Sequence, residues 1–411
     1  MNTVAQAGLL GRLFPALTEA SLRRYLGGQV ASVLGSWTQN VTLNLLVFHL
    51  SDSAAILALL NFLLYGPQLI VSPLAGSRVS SANARRVTLC VLMMSLLLTS
   101  SLFILSLLGL LGVKLILAHA LAIGVSSAIE VPARQVLLLT SLEDARHTSN
   151  AVAMNTMVYN VGRMVGPTIA GFVYPGFGPR TSFVIYALAL VFMALCVRSI
   201  KTSGARPARV DSSLRDAVGY VMSDAFSARY LPVLACIGLF AGSYQTLVPL
   251  LSDRAYHDAA RFTGVFFACA GAGSLSAAAL LSSALGPRAS RRFIAWSPWT
   301  AVAALAVLAS TTEVFAATPA FYALGFSLTF AATSTNATIQ RQCPEHVRGG
   351  LVGMYGMAYN GTMPFGYLLV GTVSEALGVR HTFGAMAIVL AAGVLSVIAL
   401  QLFRKQRTDA Q

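Results

Sequence analysis

Stretches of about twenty apolar residues recur from one end of this 411-residue chain to the other. Val87 to Leu111, Thr181 to Val197 and Phe383 to Phe403 are three of them, each long enough to cross a ~30 Å hydrocarbon core as a helix. A backbone inside hydrocarbon has no water to bond, so it must close its own hydrogen bonds, and runs of this length select the helix over the barrel strand. The expected class is an all-α membrane protein. Twelve spans are read near 25–50, 54–77, 87–110, 113–131, 150–174, 181–198, 229–252, 261–285, 292–312, 318–340, 349–374 and 381–403. Composition agrees: 10% of residues are charged, where a soluble domain carries roughly a quarter.

Net charge +14 raises the possibility of a polyanionic partner, and the distribution removes it. With the N-terminus in the cytoplasm, 22 of the 28 Lys and Arg residues fall in cytoplasmic segments and 5 in outside loops, leaving Arg163 within a span. That is the positive-inside asymmetry of a multi-pass inner-membrane protein with both termini cytoplasmic, and no nucleic acid is needed to explain it. Met1 to Ala20 has no long apolar core, so a removed signal peptide is not expected. The five cysteines are scattered without metal-ligand spacing and read as inert thiols. No metal site, nucleophile–base set or phosphate loop is visible, so an enzyme is not expected and neither is a cofactor.

Met154 to Phe183 laid on Met354 to Phe383 matches ten of thirty residues, among them Tyr159, Asn160, Gly166, Gly171, Gly178 and Arg180. The matched spans, five and eleven, run in the same direction. The repeat therefore predicts two six-helix halves related by a pseudo-two-fold axis along the membrane normal, with a small-molecule substrate bound between them. The expected organisation is a cytoplasmic N-terminal segment 1–24, a first half 25–198, a cytoplasmic linker 199–228, a second half 229–403 and a tail 404–411. Within the linker, Leu214 to Phe226 is expected as an amphipathic helix at the headgroups, capped by Asp211 or Ser212 and turning Leu214, Val218, Val221 and Met222 to one side.

Polar residues inside the spans are the candidate site. Span one carries Gln29, Ser32, Ser36, Asn40 and Asn44 on one helix face, and span ten carries Tyr322, Thr329, Thr333, Asn336 and Gln340. Such stripes must meet partners or water, so with Trp37, Tyr244 and Gln245 they either line a cavity or bond helix to helix. Glu130 is the carboxylate at span depth, on one face of span four with His119, Ser126 and Ser127. It carries a proton or forms a structural bridge to Arg134 or Arg163. Arg163 lies roughly 20 Å along span five, where it attracts an anion, sets a gate or ties helices through carbonyls. Around it, Gly162, Gly166 and Gly171 allow close helix approach, and Pro167 bends the helix.

Twelve spans, parallel repeats and the basic loop Gly76 to Arg86 resemble the major facilitator superfamily across nearly the whole chain. The stretch Gly162 to Gly171 is similar to the span-five glycine-proline motif of its exporters. Arg24 to Gln39, Val131-Pro-Ala-Arg-Gln135 and Asn160 to Pro167 resemble the branch that includes enterobactin exporters and macrolide efflux proteins. The resemblance implies a monomeric secondary transporter that exports a polar organic metabolite, first a siderophore and second a drug, by alternating access driven by an ion gradient, with the proton as coupling ion. It assigns gating to Arg85 and Arg86, although Ser80 stands where the family loop has an acid. A non-transporting receptor or scaffold of the same fold is the rival reading.

The charge asymmetry predicts that cysteines placed at Asp52 or Glu313 react with an impermeant reagent in intact cells, whereas those at Ser80 or Ser203 react only once the membrane is opened. Labelling of Ser203 from outside would overturn the topology.

Overall fold

The computed structural model describes residues 15–200, 214–282, 287–344 and 347–409. Among them every extended regular element is a helix: α1 (Ala20–Ser51), α2 (Ala54–Tyr65), α3 (Gln68–Arg78), α4 (Ala84–Leu107), α5 (Val113–Thr140), α6 (Thr148–Ser199), α7 (Leu214–Ser223) and α8 (Ala225–Cys236). They continue with α9 (Tyr244–Tyr256), α10 (Ala259–Ser282), α11 (Pro287–Ser310), α12 (Val314–Gln342), α13 (Arg348–Tyr359), α14 (Met363–Leu377) and α15 (Val379–Asp409). Nine helical stretches among the described residues are long and apolar enough to cross a membrane. The difference from twelve has local causes. α1 covers the first expected span but its polar stripe leaves it less apolar, spans five and six run on as α6, and span eleven is broken between Tyr359 and Met363.

The breaks fall where the backbone chemistry asks for them. Span two divides at Gly66-Pro67, since proline cannot supply the helical amide hydrogen bond. α6 holds a non-helical residue, Gly178, at φ 70°, and Gly378 between α14 and α15 has φ 80°. These are matched positions of the internal repeat, and at both the chain turns through a backbone region open to glycine. Span seven passes through a π-helical turn, Ile237–Ala241.

Contacts group the chain into two compact units, residues 1–43 with 67–209 and residues 44–66 with 210–411. In the first, α4 packs on α5 and α6, and α3 on α5. α1 meets α6 through glycines on both sides. A Cβ at Gly28 would lie 2.6 Å from Met193 Sδ, one at Gly35 2.7 Å from the Tyr186 ring, and one at Gly166 2.4 Å from Trp37 Cβ and 3.1 Å from the Leu34 carbonyl. Thr38 Oγ1 uses that closeness to donate to the Gly166 carbonyl at 3.1 Å. The start of α1 is tied to the turn after α5, where Glu19 accepts from His147 Nδ1 at 2.6 Å and from the Glu143 amide at 2.7 Å. In the same turn the side chain and the amide of Arg146 bond Asp144 and hold its carboxyl down to about 2.

The second unit packs α10 and α11 on α12, α15 on α11, and α2 on α14. Rings fill its centre, with Phe266 stacked on Phe321 at 4.6 Å and Tyr244 tilted against Phe321 at 5.9 Å. α7 ends at Ser223 rather than Phe226, because Asp224 caps the next helix by accepting from the Ser227 amide. Its apolar face is also divided. Ala217 is buried and Tyr220 and Val221 pack with Leu231, Ile339 and Val347, so this face docks on the unit, while Val218 and Met222 stay exposed. The expected caps Asp211 and Ser212 lie outside the described residues.

Gly166→Leu should lower the melting temperature and folded yield of detergent-solubilised protein, by the ~1–3 kcal/mol or more of an overpacked contact. Gly353→Ala, where nothing lies within 4 Å of the added carbon, should leave both unchanged.

Candidate functional site

The first unit buries a guanidinium. Arg134, on the continuation of α5 past Pro132, is 4% exposed. Nη1 donates to Gln29 Oε1 at 2.7 Å and Nη2 to Ser32 Oγ at 2.8 Å, while Glu130, one helical turn earlier, forms the ion pair with Nη2. Tyr25 Oη donates to the Arg134 carbonyl at 3.2 Å, and Tyr159 and Tyr186 stand close around the charge. Gln29 and Ser32 thus use their place on α1 to meet α5. The Glu130 bridge is to Arg134. Arg163 instead lies over the Trp37 ring at 5.5 Å, a cation–π contact that gives the charge a face inside the bundle.

The remaining candidates in this unit take separate places. Gly162 sits against Val33 and Gly166 against Trp37, so the two glycines seat α6 on the part of α1 that Arg163 overhangs. Pro167 follows within α6, and Gly171 is buried one turn later. Ser36 Oγ turns back to the Val33 carbonyl at 3.0 Å, and Asn40 is half-buried. His119 faces α4: Nδ1 donates to the Leu115 carbonyl at 2.8 Å, since a carbonyl only accepts, and Nε2 meets Ser101 Oγ at 2.9 Å. Arg85 donates to the Arg198 carbonyl and Arg24 to the Ser199 carbonyl at 2.9 Å. Both cations therefore cap the last turn of α6, where free carbonyls and the negative helix end collect. Arg86 is exposed.

In the second unit Asn44 Oδ1 accepts from Asn61 Nδ2 at 2.8 Å, both side chains buried. Tyr244 is buried among rings and Gln245 is half-buried. Tyr322 donates to Ser276 Oγ at 2.7 Å, Asn336 Oδ1 accepts from Gln340 at 2.8 Å, and Thr333 is exposed. Tyr25 and Tyr186 were not singled out in the sequence, and Tyr159 was noted only as a matched position of the repeat. The available signal was Tyr25 at four residues from Gln29, on the same helix face.

A sequence profile of transmembrane secretion effectors matches residues 15–411. The chain belongs to that family. This effector is a multi-pass membrane transporter of the major facilitator type and not an enzyme. It is 24% identical over 366 residues to the staphyloferrin A transporter of Staphylococcus aureus (strain NCTC 8325 / PS 47), covering 86% of this chain and 90% of that one. It is 27% identical over 430 residues to the multidrug efflux pump Tap of Mycolicibacterium fortuitum, covering 100% and 99%. Its fold is that of the nucleoside transporter NupG, at TM-score 0.69 and 11% identity over 92% of this chain and 98% of that one. A bacterial homologue of the lysosomal transporter Spinster gives TM-score 0.67 at 14% identity over 94% and 97%.

In this effector the buried pair sets an energetic test. Removing one partner of a buried ion pair strands the other charge, at a cost of about 3–5 kcal/mol. Glu130→Gln and Arg134→Met should each lower the melting temperature in detergent more than the double variant does. Additive losses in that cycle would show that the two side chains are not coupled.

Proposed function

We propose that this transmembrane secretion effector is a secondary active exporter of a polar, anionic organic metabolite, a siderophore first. The reading places it in the inner membrane with both termini cytoplasmic, as a monomer of twelve spans in two six-helix halves that exchange access by an ion gradient. The observation that carries it is the Arg134 cluster. A guanidinium, a carboxylate and two polar side chains are costly in hydrocarbon, and helix packing alone does not need them.

The cluster supplies a site for an anion: Glu130 answers Arg134 within the bundle, and the anionic group of a cargo would compete with that carboxylate for the guanidinium. Arg163, held over Trp37, adds a second positive charge to the same unit. The similarity to a siderophore transporter supports this cargo class. The similarity to a multidrug pump over the whole chain favours the second reading, drug efflux.

Deletion of the gene should lower extracellular siderophore and raise the intracellular pool. Purified protein in vesicles should move the compound without ATP, and Arg163→Gln should fold normally yet nearly abolish that flux. Unchanged secretion under iron limitation would remove the siderophore reading, and new sensitivity to lipophilic antibiotics would promote drug efflux.

A further inference from the structure

Three helix ends of the second unit meet around a cleft of about 270 Å³: the last turn of α9, the end of α14 and the first turn of α15. α9 packs on both of the others. Arg254 of α9 and Arg380 and His381 of α15 line the cleft, with Gly378, whose φ of 80° turns the chain from one helix into the next. His381 Nδ1 donates to the Leu377 carbonyl at 2.9 Å, which orients the imidazole and leaves Nε2 for another partner.

The positive charge at this cleft is not offset by its own helices. Arg254 lies in the last turn of α9, where free carbonyls favour a cation. Arg380 and His381 lie in the first turn of α15, where amides without intrahelical acceptors already gather positive charge and no acidic residue answers it. Asp52 approaches Arg254 only to 3.6 Å, both side chains open to solvent, a pairing that contributes little. Glu375, one turn before Gly378, is engaged elsewhere: its Oε2 accepts from the Ala55 amide at 3.1 Å and from Ser53 Oγ at 3.3 Å. Arg380 has neither an ion pair nor a hydrogen bond among the described residues. In the topology read from the charge asymmetry, Arg254 and Arg380 are two of the few cations on the outer side.

Size and surroundings narrow what would balance this charge. Pockets that enclose a whole organic ligand run to roughly 300–1,000 Å³, so a cleft of about 270 Å³ takes one group and leaves the rest of the molecule outside. His381, Ile388 and Leu395 follow at seven-residue steps on one face of α15, and all three are exposed. The cleft thus stands at the head of an apolar stripe ~20 Å long, on a helix apolar enough to cross a membrane. A headgroup above its acyl chains has that same order, and the guanidinium fork matches phosphate oxygens. We propose that this cleft binds the phosphate of an anionic phospholipid whose acyl chains lie along Ile388 and Leu395. The site does not depend on the export reading; its place in the outer leaflet rests on the topology.

The test counts phosphatidylglycerol retained by the purified full chain in detergent, by native mass spectrometry, with phosphatidylcholine as the zwitterionic comparison. The parent should retain phosphatidylglycerol in preference. Arg254→Gln combined with Arg380→Gln should weaken that retention by about tenfold or more, the scale of lost charge-assisted hydrogen bonds, and Asp52→Asn should strengthen it. Arg261→Gln, at an arginine that lies over Phe262, should leave it unchanged. Equal retention of the two lipids by the parent, or parent-level retention by the folded double variant, overturns the site. Should the double variant not fold, parent-level retention by Arg380→Gln overturns it equally. Inorganic phosphate that raises the melting temperature as much as the lipid does, through Arg380, overturns the lipid and assigns the cleft to a free anion. The leaflet is read separately in intact cells: with Cys90, Cys196, Cys236, Cys269 and Cys343 replaced by serine, His381→Cys should react with an impermeant maleimide. Reaction only after the membrane is opened overturns the outer placement and the topology with it, while the retention result still decides the site.

Discussion

Hydrocarbon does not solvate charge, and the first unit is arranged around that fact. Arg134 is the costliest group it buries, and the answer comes from two helices at once: Glu130 one turn away on α5, Gln29 and Ser32 on α1. Those partners require α1 to lie close to α5 in one rotational setting. The glycines of α1 and α6 make the approach possible, and Thr38 bonds the Gly166 carbonyl across it. Close packing and charge pairing thus enforce the same geometry, and a shift of α1 that relieved one would break the other.

The second unit meets the same solvent with different means. Its centre is aromatic, with Phe266, Phe321 and Tyr244 in mutual contact, and its polar residues pair locally, Asn44 with Asn61 and Tyr322 with Ser276. Charges in contact sit toward helix ends, where Asp52 meets Arg254 and Glu375 caps α2. The repeat survives in the backbone beneath this divergence. Gly178 and Gly378 share a positive φ, and Gly166 and Gly366 each abut a neighbouring helix backbone, at the Leu34 and Leu239 carbonyls. Side chains have differentiated, with Arg163 and Pro167 answered by Met363 and Tyr367. The asymmetry fits a transporter in which one unit carries the buried charges.

The apolar runs determined the helical class, because a backbone in hydrocarbon must satisfy itself within one segment and about twenty residues are then required. The match of Met154–Phe183 to Met354–Phe383 made the internal repeat legible, and helical spacing put Gln29 and Ser32 on one face. What that face meets was not legible. Both Arg134 and Arg163 were open partners for Glu130, and only the seating of α1 between them gave the carboxylate to Arg134 and Trp37 to Arg163. The same holds for Asn44, which reads as one more member of the stripe and instead pairs with Asn61, and for Glu375, whose ligands lie more than three hundred residues earlier in the chain. Periodicity records which way a side chain leaves its own helix. The partner depends on the rotation and approach of a second helix, set by contacts among many residues far apart in sequence, so tertiary structure alone decided it.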